Sequence, residues 1–252
     1  MRDKIKVLFL AADPFRPGER LRLDEEVRAI DQAIRRGSAR DSVELVSQFA
    51  TRTGDLQDAL MRHDPQVVHF AGHGGARGVI YLGDEYGRAR PVGKEALGRL
   101  FGIRRDGVRV VVLNGCETLP AADVLSEVVD YAVGMDGPIH DDSAARFSAA
   151  FYGALAMGQT LANSFSYGVN QLELEGNPDA KLPVLRVRPG IDAQAALMEK
   201  QSGDAIVTQQ PDAFGPVKAR GNALFENKQV GGDQKNDFAS FEGGGMTFRN
   251  SG

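Results

Sequence analysis

The segment Val110-Val111-Val112-Leu113-Asn114-Gly115-Cys116-Glu117-Thr118 carries the only cysteine of the chain at the end of an apolar run of strand length. A second segment, His69-Phe70-Ala71-Gly72-His73-Gly74-Gly75, closes the apolar run that opens at Val67 and delivers His73 among glycines. Short apolar runs bounded by turn signals read as buried strands. Neighbouring strands of a parallel sheet release their chains at one edge, where open α/β folds build their sites. A thiol and an imidazole distant in sequence but adjacent in space are the minimum set for nucleophilic catalysis by a thiolate. A lone cysteine is ordinarily a small buried hydrophobe. Its place in a turn-like exit from a buried strand favours the nucleophile instead.

In that chemistry the imidazole lowers the thiol pKa and later protonates the leaving amine. His73 is the expected base, because the adjoining glycines let backbone approach a substrate closely. His69 alternates with buried positions and reads as structural. The amide N–H groups of Gly74 and Cys116 are the candidate oxyanion hole. Asn114 and a backbone carbonyl are the candidates for orienting the imidazole. His63 and His140 read as surface or loop residues without a partner. The carboxylates Asp136, Asp141 and Asp142 gather near a helix N-terminus, which attracts negative charge without any metal. No metal site and no cofactor are expected.

The chain has 252 residues, enough for one ordinary domain with a real core and something extra. A formal net charge of −4 argues against a nucleic-acid partner. One cysteine excludes an intramolecular disulfide framework. The opening Met1-Arg2-Asp3-Lys4-Ile5 leads into an apolar run too brief for a signal sequence, and no stretch nears the roughly 20 apolar residues of a membrane span. A cytoplasmic protein with no membrane partner is the expectation.

Strands are expected at Lys4–Ala12, Val43–Phe49, Val67–Ala71, Val108–Leu113, Tyr131–Met135 and Leu182–Val187. Pro183 is tolerable only near the start of its strand. Helical spacing predicts Leu21–Arg35, Leu56–Arg62, Gly93–Phe101, Ala121–Val129, Asp141–Met157 and Leu161–Leu174, with Asp141 or Asp142 capping the fifth. Val79–Leu82 followed by Gly83-Asp84-Glu85-Tyr86-Gly87 suggests a small hairpin excursion. Strand, helix and strand recur, so the natural packing is an α/β fold with helices on both faces of a mostly parallel sheet. A globular unit over residues 1–190 and a tail over 191–252 follow. From Gly203 the tail is rich in Gly, Asn, Gln and Asp with isolated phenylalanines. Such a segment cannot fold as a separate domain. Two readings stand side by side: a disordered tail, or an assembly motif near 219–250 suited to stacked, in-register β-structure.

The two motifs, in this order on these strands, resemble the clan of caspases, metacaspases, separases and gingipains, and most closely its CHAT branch. The resemblance covers roughly Lys4 to Val187. It includes Leu21-Arg22-Leu23-Asp24-Glu25-Glu26 and Ala132-Val133-Gly134-Met135-Asp136-Gly137-Pro138-Ile139. The His73-to-Cys116 interval is of the order of the roughly 50 residues given for caspases. The resemblance implies a caspase-like three-layer α/β/α domain in which His73 is the catalytic histidine and Cys116 the nucleophile. It implies an endopeptidase acting on protein substrates. Gly115 stands where CHAT sequences more commonly carry Ala, a change that a tight turn accommodates. By analogy with caspases, Arg20 or Arg22, with Asp136, belong to the substrate pocket, which would then accept an acidic side chain; both arginines could equally be solvated residues at a helix start. The tail is similar to short amyloid-forming signalling motifs of bacterial and fungal immune receptors. That likeness implies recruitment by an upstream sensor and activation by proximity, in bacterial defence or programmed death. A homo-oligomer is a further expectation, since an exposed edge strand could pair between two copies. The alternative is a non-enzymatic caspase-like adaptor carrying an assembling tail. A nucleotide-binding domain is disfavoured, because Ala11-Ala12-Asp13-Pro14 lacks a Gly-rich phosphate loop.

Overall fold

Alternation along the first strand sets the architecture. Val7, Phe9 and Ala11 of β1 (Ile5–Ala12) point to one side of the sheet and Leu8, Leu10 and Ala12 to the other, and all six are buried. A strand apolar on both faces must be covered on both. The computed structural model of the chain, which describes residues 4–14, 20–195 and 197, provides both covers. On one face, α1 (Leu23–Arg36), α5 (Asp141–Ala156) and α6 (Leu161–Leu174) supply Ile30, Phe147, Phe151 and Leu172. On the other, α2 (Asp55–His63), α3 (Lys94–Ile103) and α4 (Leu119–Leu125) supply Leu60, Phe101 and Leu125. Helices, sheet and helices thus form the expected three layers.

The main sheet adds β2 (Val43–Gln48), β3 (Val67–Gly72), β7 (Val110–Asn114), β8 (Tyr131–Met135) and β9 (Pro183–Val187), in the order β2-β1-β3-β7-β8-β9. All neighbours are parallel except β8 and β9. Pro183 opens β9 at the sheet edge, where a missing N–H is tolerated. After β1 the chain first builds outward to β2 and then crosses to β3 on the other side, so a topological switch point lies between β1 and β3. Open α/β sheets place their crevice beyond the carboxyl ends of the strands at such a point.

The excursion after β3 is a second, antiparallel sheet of β4 (Gly74–Gly75), β5 (Val79–Gly83) and β6 (Ala89–Val92). Its turn is held by Asp84, whose Oδ1 accepts the N–H groups of Tyr86 at 2.9 Å and Arg88 at 2.8 Å. The strand β6 is the return strand of the expected hairpin, for which the sequence reading gave no bounds; its Arg90-Pro91 pair lies exposed at the edge. The sequence placed the start of α1 at Leu21, whereas the helix begins at Leu23. It also extended α4 to Val129, whereas the helix ends at Leu125 and the chain continues as a turn. The expected cap of α5 is corrected. His140 is its N-cap residue, without a side-chain cap bond, and Asp141 and Asp142 lie inside the first turn. Beyond β9, Ile191 and Leu197 still pack against the core, and the Tyr131 hydroxyl donates to the Asp192 carbonyl at 2.8 Å. The tail expectations near 219–250 fall outside the described residues.

Candidate active site

The register Ala12↔Gly72 and Ala71↔Asn114 aligns the carboxyl ends of β1, β3 and β7. The residues that follow, Asp13, His73 and Cys116, therefore leave the sheet along one edge at the switch point. Two glycines let the three exits converge. A Cβ on Gly115 would fall 2.5 Å from the Gly72 carbonyl oxygen and 3.1 Å from the Gly74 nitrogen. A Cβ on Gly74 would fall 2.0 Å from the Cys116 carbonyl oxygen. Position 115 is therefore not free for alanine in this chain, because the backbone of the His73 loop occupies the space.

The turn after β7 is clamped from below. The buried Thr118 hydroxyl lies 2.8 Å from the Leu113 carbonyl and 2.9 Å from that of Gly115, and accepts the N–H of Met135 at 3.0 Å. Glu117 takes a left-handed φ of +56°, uncommon for a residue with a Cβ, and its N–H donates to Gly137 at 2.9 Å. Cys116 is left half-buried, and among the described residues the hydrogen-bonding contact of its thiol is a long one, Sγ to the Ile139 carbonyl at 3.8 Å.

His73 is fixed by backbone and by one side chain. Its carbonyl accepts the Tyr81 N–H at 3.0 Å, tying it to β5. Its Nε2 lies 3.2 Å from Asp13 Oδ1. A carboxylate accepts, so Nε2 carries the hydrogen and the neutral ring keeps its lone pair on Nδ1. Asp13 is the residue that sequence reasoning missed. A signal existed: an aspartate one position past a buried strand, on the edge where His73 also emerges. The suggestion of Asn114 as orienter is corrected, because its amide is engaged elsewhere.

Behind the edge lies a buried polar cluster centred on Glu26. Its Oε1 accepts from Asn114 Nδ2 at 2.5 Å, Ser148 Oγ at 2.9 Å and His69 Nε2 at 3.0 Å. The other nitrogen of His69 meets the Tyr152 hydroxyl at 3.1 Å, and the ring stacks on Phe9. Burial, and secondarily the Glu26 charge, push the Tyr152 phenol well above its ordinary range. A carboxylate accepts, so the Nε2 of His69 carries a hydrogen toward Glu26. His69 is thus structural, as expected.

A narrow cleft runs from Cys116 and His73 between α1 and α5. Arg22, Glu26, Asn114, Ile139 and Asp141 line it further. Arg20 and Asp136 are exposed and are not among its lining residues. Arg22 does reach it, but its guanidinium pairs with Asp142 and, at 3.4 Å, with Glu25. Its backbone N–H donates to Asp141 at 3.2 Å. These carboxylates tie α1 to α5. Among the described residues, no three His, Cys, Asp or Glu side chains are grouped to hold a metal ion, and no helix is long and apolar enough to cross a membrane.

His140 is not unpartnered. Its Nδ1 and backbone N–H meet Asp179 Oδ2 at 2.8 and 3.0 Å, anchoring the loop whose Ile139 carbonyl touches Cys116. The Asp179 hydrogen bond and then its charge hold His140 above the usual imidazole value. Burial opposes ionisation of Asp179, yet its hydrogen bonds, led by the His140 N–H, keep it below the usual carboxylate range. The raised His140 contributes stability below the unfolded imidazole value, lost as pH rises through its folded pKa. The lowered Asp179 contributes above the unfolded carboxylate value, lost as pH falls through its folded pKa. An NMR titration of His140 is expected to give a midpoint above about 6.5, moving back toward that value in Asp179→Asn. A midpoint at or below it in the intact chain would contradict the pairing.

The family model of the CHAT domain matches residues 8–174. Among solved structures, a secreted C11 cysteine protease from Bacteroides thetaiotaomicron, determined in complex with an irreversible peptide inhibitor, superposes with a TM-score of 0.50 at 10% sequence identity. The match covers 66% of this chain and 57% of that one, so the likeness is one of fold. No curated protein matches the chain.

Proposed function

This chain belongs to the CHAT domain family, and from that premise we propose that it is a cysteine endopeptidase working through Cys116 and His73. One observation carries the reading: the thiol and an imidazole held by Asp13 line a single cleft at the switch point of the sheet. His73 takes the Cys116 proton, and the thiolate attacks the scissile carbonyl. The resulting oxyanion is received by the N–H groups of Gly74 and Cys116, whose backbones abut. Collapse breaks the C–N bond, and the amine leaves with the proton from His73. A water, deprotonated by His73, then attacks the thioester. The acid product leaves and the thiol is restored. The comparison of wild type with Cys116→Ala on a peptide library tests this.

Asp13 has a positioning role in that scheme. Asp13→Asn can accept only through its carbonyl oxygen and no longer stabilises the imidazolium formed as the thiol ionises. We expect kcat to fall about 10- to 100-fold with little change in KM, and the pH at half-maximal rate to move. Asp13 is partly exposed, so the fold should be untouched. An unchanged rate and pH profile would remove Asp13 from the mechanism. The biological setting proposed, a proximity-activated effector in bacterial defence or programmed death recruited through its tail, rests on the composition of the tail alone.

A further inference from the structure

The peptide unit joining Ile139 to His140 lies between the nucleophile and a buried carboxylate. Its C=O and N–H point in opposite directions, as in any trans peptide. The Ile139 carbonyl accepts from Cys116 Sγ at 3.8 Å, and the His140 N–H donates to Asp179 Oδ2 at 3.0 Å. Asp179 therefore fixes the plane whose other end meets the thiol. Asp179 is itself held: it is buried in the turn Pro178–Lys181, and its N–H donates to Asn177 Oδ1 at 2.9 Å. Asn177 reaches α5 in turn, its Nδ2 donating to Ser143 Oγ at 2.9 Å. The same stretch grips the other end of the segment 136–140, where the Asp136 N–H donates to the Leu182 carbonyl at 2.8 Å. Between the two grips the segment meets the nucleophile turn twice, at Cys116 Sγ and through the Gly137 carbonyl, which accepts the Glu117 N–H. Among the described residues the thiol has no hydrogen bond to His73. A carbonyl accepts from a thiol and has nothing to give a thiolate, so this contact belongs to the resting state and is left before attack.

We infer that Asp179 is a positioning residue for the nucleophile: by gripping the His140 N–H it aims the Ile139 carbonyl at Cys116 and parks the thiol on that carbonyl rather than on His73. The bond that parks it is a weak one, as a contact given up in every reaction cycle must be. The grip is strong by comparison, because the acceptor is a carboxylate anchored in a turn. The inference rests on the peptidase reading for the identity of the nucleophile. Alkylation of the thiol tests it without any substrate.

Cys116 is the only cysteine of the chain, so uptake of iodoacetamide by the folded full chain reads this thiol alone. In Asp179→Ala, at about pH 7, uptake is expected to be at least about 3-fold faster than in wild type. Asp179→Asn keeps an amide oxygen that accepts the His140 N–H, and should stay within about 2-fold of wild type. His140→Pro removes the same hydrogen bond from its other side, at a φ of −77° that proline adopts, and should be as fast as Asp179→Ala. It carries the test if Asp179→Ala does not fold. Leu60→Ala opens a cavity on the opposite face of the sheet and controls for general loosening; its uptake should match wild type within about 2-fold. No acceleration in Asp179→Ala and His140→Pro would overturn the assignment and leave the peptidase standing. Equal acceleration in Asp179→Asn or Leu60→Ala would do the same. If instead wild type and Cys116→Ala cleave the peptide library alike, the peptidase falls, while the alkylation pattern would still place Asp179 in control of the thiol.

Discussion

Cys116→Ala is expected to lower peptide cleavage by about 10⁴-fold or more while leaving the unfolding curve almost unchanged. The two halves of this expectation come from different parts of the structure. Loss of the thiolate removes the bond-forming atom itself, and the rest of the cleft can supply only binding and oxyanion stabilisation. Stability is insulated because the thiol contributes little to packing. It is half-buried, and its one polar contact among the described residues lies at 3.8 Å. The turn is held by Thr118, Glu117 and the glycine approaches, none of which involves Sγ. A change within about 0.5 kcal/mol is therefore the expectation for stability. Thermal unfolding and library cleavage on the same preparations check both halves. Retained proteolysis would sink the assignment of Cys116. A collapse of stability would mean that lost folding, and not lost chemistry, explained the inactivity.

How much of this site can be read from the chain depends on whether a residue acts through local pattern or through a partner strand. His73 and Cys116 are legible because each ends an apolar run, and strand exits are a local feature. The register of β3 against β7 then brings them to one edge. Asp13 is invisible to that reasoning, since its relevance depends on β1 lying beside β3 and on the alignment of Ala12 with Gly72. The same limit applied to Arg22. Its position next to the cleft is suggested by the first helix, but the pairing with Asp142 joins positions far apart in the chain, and no periodicity contains it. His140 looked solitary for the same reason, Asp179 being supplied from beyond α6. The main strands were placed to within a residue or two, because buried parallel strands are nearly unbroken apolar runs. The small strand β6, with Pro91 and Arg90 in its middle, carries no such run.

Glu26→Ala is expected to be the most destabilising single change at the site, by about 3–5 kcal/mol. Three buried donors, His69 Nε2, Asn114 Nδ2 and Ser148 Oγ, converge on one carboxylate oxygen. Deleting it leaves His69 Nε2 and the Ser148 hydroxyl without this acceptor at once, in a place closed to water, since both residues are fully buried. Each unsatisfied group costs about 1–3 kcal/mol. Asn114 retains the Ala144 carbonyl, which keeps the total from being the full sum. Burying the carboxylate is itself unfavourable, so a hydrophobic replacement of the entire cluster would be better tolerated than this truncation. Glu26→Gln should fall between, at about 1–3 kcal/mol, because the amide keeps one acceptor but can turn an N–H toward the donors. For a folded body of this size, the alanine variant should melt about 6–20 °C below wild type. Its cleavage should fall even at temperatures where it is folded, because Glu26 fixes Asn114, two residues before the nucleophile. Chemical denaturation with unchanged slope would report the stability term alone. A loss under about 1 kcal/mol would show that these donors find other partners when the carboxylate is gone, and the account of the cluster as the anchor of the nucleophile turn would fall.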